Sequence, residues 1–174
     1  MNKQGGVSVA DYIVERLAAE GIGHCFGVAG DYLFPICDAV DSSAKVKWIG
    51  CSNELNASYA ADGYARVRGA AMLATTYGVG ELSAINGVMG AKAKRSLVFH
   101  VVGMPSYQHQ RVHKITHHTL GDGVFGNFVQ LSGAARAVMR SSTRRIASSK
   151  WSASSPRRAA TINPRILWCR RTTR

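Results

Sequence analysis

No part of this 174-residue chain approaches the ~20 consecutive apolar residues of a membrane-crossing helix, so no membrane partner is expected. The opening Met1-Asn2-Lys3-Gln4-Gly5-Gly6 lacks the apolar core of a secretory leader, and a cytoplasmic chain is expected. The four cysteines, Cys25, Cys37, Cys51 and Cys169, form no CxxC pair and no zinc spacing. In a reducing compartment they read as small, buried apolar residues. No GxGxxG fingerprint of a dinucleotide site occurs; Gly78-Val79-Gly80 is too short for one and reads as a tight turn. Acidic residues are scarce, 10 against 22 Lys and Arg, for a net charge of +12. That deficit is local. Residues 1–133 hold all 10 acids and 11 bases, whereas 134–174 hold ten Arg, one Lys and no acid. The basic character belongs to a tail and not to a folded surface, which argues against a nucleic-acid partner.

Up to about Phe128 the chain alternates helix and strand signals. Ser8 can cap a helix bearing Val9, Tyr12, Ile13 and Leu17, with Gly21 at its end. His24 to Val28 reads as a buried strand, and a turn at Ala29-Gly30-Asp31 opens a helix with Leu33, Ile36 and Val40. A strand over Val46–Cys51 is followed by a helix over Asn53–Arg66, a strand over Ala71–Thr75 and a small-residue helix over Gly80–Ala91. Ser96 to Gly103 is the clearest buried strand. Near-continuous apolar strands between helices predict an α/β fold, a parallel sheet flanked by helices. In such sheets ligands lie beyond the carboxyl ends of the strands. Asp31, Glu54 and Gly78-Val79-Gly80-Glu81 each follow a strand, so these loops are expected to line one site.

After Ser132 no period persists. Read one nucleotide earlier with suitable synonymous codons, Met139 to Arg174 becomes an amphipathic helix, a β-branched strand and a proline turn. The expectation is a domain over 1–133 whose last helix and strand are lost. Residues 134–174 are then a basic Arg/Ser-rich tail, read in a shifted frame from near Ala134 or disordered.

Five segments carry a resemblance: GVAGDYLFPICDAV (27–40), WIGCSNELNASYAADGYARVRG (48–69), TTYGVGELSAINGVMGA (75–91), HVVGMPS (100–106) and HHTLGDGVFGNF (117–128). In this order and spacing they resemble the amino-terminal pyrimidine-binding domain of thiamine-diphosphate-dependent 2-keto-acid decarboxylases of the pyruvate, indolepyruvate and phenylpyruvate type. The resemblance implies that Glu54 hydrogen-bonds the cofactor's ring nitrogen N1′, and that Gly78, Val79 and Gly80 form a turn against the aminopyrimidine. It also places Asp31, His117 and His118 on the substrate side, where proton transfer calls for groups that titrate near neutrality. By residue type alone, Glu54 would complement a helix dipole, Asp31 would cap a helix and the histidine pair would be a polar loop.

Other features compete for attention. His109, His113 and His117 share a four-residue spacing that would suit a metal face on a helix, but no acid or cysteine completes it. No metal ion is expected on this chain. Gly121-Asp122-Gly123 is similar to the start of the family's Mg-diphosphate motif but lacks the later Asn pair, so it reads as a loop. His24 and His100, on apolar strands, read as core histidines. Lys92, Lys94 and Arg95 stand where the family carries an aromatic and an acid.

The resemblance implies thiamine diphosphate as cofactor, with Mg2+ only where the diphosphate-binding domain of the full-length relative is present. It also implies a 2-keto acid as that relative's substrate and a homodimer or tetramer. The tandem histidines favour aldehyde release over carboligation. This chain alone is expected to be inactive. The alternative is a non-catalytic module that pairs with a full-length decarboxylase subunit.

Overall fold

The computed structural model describes residues 7–135 in full and, beyond them, the backbone of 138–142 and 165–170. The first helix, α1 (Val9–Ala19), begins where the Ser8 hydroxyl accepts the Asp11 N–H at 3.0 Å. It ends before Gly21, whose φ of +87° only glycine adopts freely. Strand β1 (His24–Gly27) leads through a short 3-10 turn, Asp31–Leu33, into α2 (Phe34–Asp41). Strand β2 (Lys47–Gly50) precedes α3 (Glu54–Arg68), which is capped by the Asn53 side chain accepting the Asn56 N–H at 2.8 Å. Then come β3 (Ala70–Thr76), α4 (Val79–Ala93) and β4 (Leu97–Met104). The expected elements are all present, with ends shifted by one or two residues, as fraying helix and strand ends permit.

Two short helices, α5 (Tyr107–Arg111) and α6 (Asn127–Leu131), lie where the sequence reads as loop. Their apolar residues are too few to show a helical period. Segments Val138–Ser142 and Arg165–Arg170 form strands β5 and β6, in a stretch without sequence periodicity. The edge of β4 accounts for this. Its eight residues are all buried, and their outer N–H and C=O groups need partners. β6 supplies them in parallel register, from Phe99 opposite Arg165 to Met104 opposite Arg170.

The sheet order is β2-β1-β3-β4-β6-β5, every pair parallel. β3 and β4 are fully buried, and alternation sends their side chains to two separate cores. Met72, Ala74, Phe99 and Val101 join Leu17, Ile22, Ile36 and Val40 under α1 and α2. Ala71, Leu73, Val98 and Val102 join Ala57, Ala61, Ala65, Ala84 and Ala91 under α3 and α4. On that second face α3 and α4 pack closely enough that a Cβ on Gly87 would strike Ser58, at 2.8 Å from its Cβ.

His100 lies in this core as expected, 2 % exposed, with Nε2 2.9 Å from Thr75 Oγ1. Burial pushes its pKa down to about 3, so the ring is neutral. His24 is half-buried, its Nδ1 2.9 Å from Tyr64 Oη. Cys25 is buried, and its thiol pKa is raised well above the usual value by that burial. Cys37 and Cys51 are half-buried and free. No helix among the described residues is long and apolar enough to cross a membrane.

Candidate active site

Four turns converge beyond the carboxyl ends of β1, β2, β3 and β4. The β1 turn presents Asp31, and the β2 turn presents Glu54 as the first residue of α3. The β3 turn presents Gly78-Val79-Gly80, and the long connection after β4 returns His117 and His118. The expected site residues are therefore brought together, although they come from four separate segments.

Gly78 joins two of these segments. Its φ is +66°, and a Cβ there would collide with the His118 carbonyl oxygen and touch the Phe128 ring at 3.3 Å. Gly80 serves Glu54 in the same way, since its absent Cβ would stand 3.2 Å from Glu54 Oε1. Val79 between them turns its side chain outward, 54 % exposed. The turn is braced from below by Glu81, 2 % exposed. Its Oε2 accepts the Gly78 N–H at 3.3 Å and its Oε1 accepts the Ser132 hydroxyl at 2.7 Å. That carboxylate ties the glycine turn after β3 to the turn at Ser132.

Asp31 and His117 form a contact of 3.0 Å between Oδ2 and Nε2, with side chains 45 % and 55 % exposed. His117 and His118 rings stand 4.5 Å apart, nearly edge to face. His118 sits in the left-handed region at φ +67°, an unfavourable conformation for a residue with a side chain. Its pKa is lowered, first by burial and then by His117, while Asp31 and Glu54 pull the other way. Glu54 thus shares an electrostatic space with the histidine pair.

Tyr77, wholly buried, holds this loop. Its hydroxyl donates to the His117 carbonyl at 2.5 Å and lies 3.1 Å from Thr116 Oγ1. Burial is the main reason that its pKa is pushed up to about 12, so it remains a neutral donor. Tyr32, Phe125 and Phe128 pack their rings around it at 5.1, 5.9 and 6.2 Å.

Sequence reasoning passed over Tyr77 and Thr76. Thr76 is 6 % exposed and its Oγ1 has no hydrogen-bond partner. Its Cβ would lie 3.3 Å from a Cβ on Gly30, and its Cγ2 would lie 2.8 Å from one on Gly80. It therefore stands between the Asp31 turn and Gly80, the glycine that faces Glu54. The available signal was two adjacent hydroxyl residues, Thr75 and Thr76, in an otherwise apolar strand that runs into the glycine turn.

The four-residue histidine spacing does not become a metal face, because α5 ends at Arg111 and no helix carries it onward. His113 Nδ1 instead lies 3.2 Å from the Gly123 carbonyl oxygen. Gly121-Asp122-Gly123 is a closed loop. Both glycines have positive φ, and Asp122 accepts from the Val124 N–H at 2.9 Å and the Asn127 amide at 3.0 Å. Lys92, Lys94 and Arg95 lie at the carboxyl end of α4, where positive charge is favourable.

Comparison with known proteins identifies a family. A family model described as thiamine pyrophosphate enzyme, N-terminal TPP binding domain, matches residues 7–126. An alpha-keto-acid decarboxylase of Mycobacterium avium is 48 % identical over 125 residues, covering 72 % of this chain and 22 % of the relative. Those of Mycobacterium leprae and Mycobacterium tuberculosis are 46 % and 45 % identical over the same shares. The chain thus spans about a fifth of the length of the curated relatives it matches.

Proposed function

Because this chain belongs to the thiamine pyrophosphate enzyme family through its N-terminal TPP binding domain, we propose that it binds the aminopyrimidine end of thiamine diphosphate for a non-oxidative 2-keto-acid decarboxylase. The observation that carries this reading is the apposition of Glu54, Gly80 and the unpartnered Thr76 hydroxyl beside Asp31, His117 and His118. A flat polar ring fits such a cradle. The glycine leaves room against the carboxylate, and the buried hydroxyl lacks the partner that a ring nitrogen or amine would give it.

Bound thiamine diphosphate supplies a nucleophilic carbon and accepts the electron pair left when carbon dioxide departs. The chain's own residues do the rest. Glu54 offers its carboxyl group to the ring nitrogen and orients the ring. Gly78, Val79 and Gly80 set the distance of approach, with Glu81 holding the turn. Asp31 and the histidine pair carry the proton that replaces the lost carboxylate on carbon, and Tyr77 keeps the pair in place. The substrate is a 2-keto acid such as pyruvate, phenylpyruvate or indolepyruvate.

This chain alone is proposed to be inactive. One or two hydrogen bonds to the ring contribute about 1 kcal/mol each, whereas even millimolar binding needs about 4 kcal/mol. The diphosphate and its Mg2+ would be held by the remainder of a full-length enzyme, in a homodimer or tetramer. A second reading, a non-catalytic module docked on a full-length subunit, is favoured by Val112, Ile115 and Leu120, each about 70 % exposed beside the site.

Two experiments test these readings. Residues 7–131 are exchanged into the Mycobacterium avium relative, and aldehyde formation from the three keto acids is assayed. The expected result is activity that Glu54→Gln abolishes; a folded, cofactor-loaded exchange protein without activity would overturn the decarboxylase reading. Aldehyde formation by the purified 174-residue chain would overturn the inactivity.

A further inference from the structure

We propose that Asp31, His117 and His118 form a binding site for a single zinc ion on this chain. Two imidazoles and a carboxylate are the donors of three-ligand zinc sites that keep a position open. Here one ligand atom from each residue lies within 4.8 Å of the other two. Donors around tetrahedral zinc stand a little over ~3 Å apart, and Asp31 Oδ2 and His117 Nε2 are already 3.0 Å apart. The third, from His118, lies within 4.8 Å of both.

Three further features suit the set to a cation. The Tyr32 hydroxyl reaches His117 Nδ1 at 3.5 Å, the long limit of a hydrogen bond. In the metal-free chain Nε2–H donates to Asp31; when zinc replaces that proton, the Tyr32 oxygen is placed to accept from Nδ1–H. A partner on the other ring nitrogen is what orients metal-binding histidines. The backbone is fixed before any ion arrives, by Tyr77 on the His117 carbonyl and by the left-handed His118 against Gly78. Asp31 and His117 are about half exposed, which gives an entry path and leaves coordination positions for water or a small anion. His109 and His113, the partners that sequence spacing would give His117, do not join the group. Folding assembles a different set, from the β1 turn and the loop after β4.

The site does not depend on the thiamine reading, and its test contains no cofactor. Zinc sulfate is titrated into the purified 174-residue chain, free of thiamine diphosphate and Mg2+, and uptake is followed by calorimetry. One equivalent is expected. Affinity should fall at least tenfold in each of Asp31→Asn, His117→Gln and His118→Gln, and by less in Tyr32→Phe. His109→Gln and Cys37→Ser should leave it unchanged. Circular dichroism shows whether each variant folds. Cobalt(II) and histidine NMR on the unsubstituted chain give a second reading that needs no variant. His117 and His118 resonances should move together, and no thiolate charge-transfer band should appear. No stoichiometric uptake, uptake indifferent to all three substitutions, or a thiolate band would each overturn the site.

Discussion

The two faces of the sheet are built from different residues for different ends. Under α1 and α2 the core is made of large aliphatic side chains, Leu17, Ile22, Leu33, Ile36 and Val40 against Met72 and Phe99. Under α3 and α4 the helices bring mostly alanine, Ala57, Ala61, Ala65, Ala84 and Ala91, with Gly87 against Ser58, while Tyr77, Phe125 and Phe128 supply bulk from outside those helices. The large aliphatic side chains that α1 and α2 contribute each bury more apolar area than the alanines of α3 and α4. The second face lets two helices approach closely, and both helices begin in the site: α3 at Glu54, α4 at the glycine turn. Bulk secures the fold on one side, and smallness secures the position of functional groups on the other.

This contrast can be broken deliberately. The largest effect is expected from Leu17→Ala, which empties a wholly buried position. It should cost about 2–5 kcal/mol in chemical denaturation. It should leave the NMR shifts of His117 and His118 unchanged, since α1 does not reach them. Gly87→Ala should cost about 1–3 kcal/mol through overpacking against Ser58. Unlike the first, it should shift signals of Glu54 and of the glycine turn, because α3 and α4 must separate. A Gly87→Ala protein with site resonances unmoved would contradict the division of labour.

Acid sharpens the comparison on the alanine face alone. His100 is buried there and neutral, with its pKa pushed down to about 3. The unfolded chain takes up that proton near 6.5 and the folded chain does not. His100 therefore favours folding fully above pH 6.5 and progressively less as pH falls from there toward 3, by about 1.4 kcal/mol per pH unit. Replacing it by Gln should flatten the dependence of unfolding free energy on pH in that window; an unchanged slope would refute the assignment. The smallest effect is local. In metal-free buffer, His118 should titrate below the usual histidine value, and Asp31→Asn should lower it further by removing the charge that opposes the shift. An upward move, followed by NMR, would mean that Asp31 does not act on this ring.

Much of the fold was legible because its signals are local. Ser8 marks a helix start by its capping side chain, and Gly21 marks the end of that helix. The unbroken apolar runs of β3 and β4 mark strands buried on both faces. The four-residue histidine spacing misled for the opposite reason: a period means something only on a helix, and α5 stops before the pattern is used. Strands β5 and β6 were not legible either. Their pairing is driven by the open edge of β4, far away in sequence, more than by their own residues.

By itself, then, the sequence determined the alternation of helix and strand, the positions where only glycine fits the turn, and the family through segments kept in order. The tertiary structure alone decided that Asp31 meets His117 and His118, that Tyr77 hangs the histidine loop by its carbonyl, that Thr76 is left with an unanswered hydroxyl, and that Glu81 ties Gly78 to Ser132. Capping and periodicity act over three or four residues and can be read along the chain. The contacts of the site join segments separated by dozens of residues, and they arise only when burial has fixed both partners and left each buried polar atom to find its neighbour.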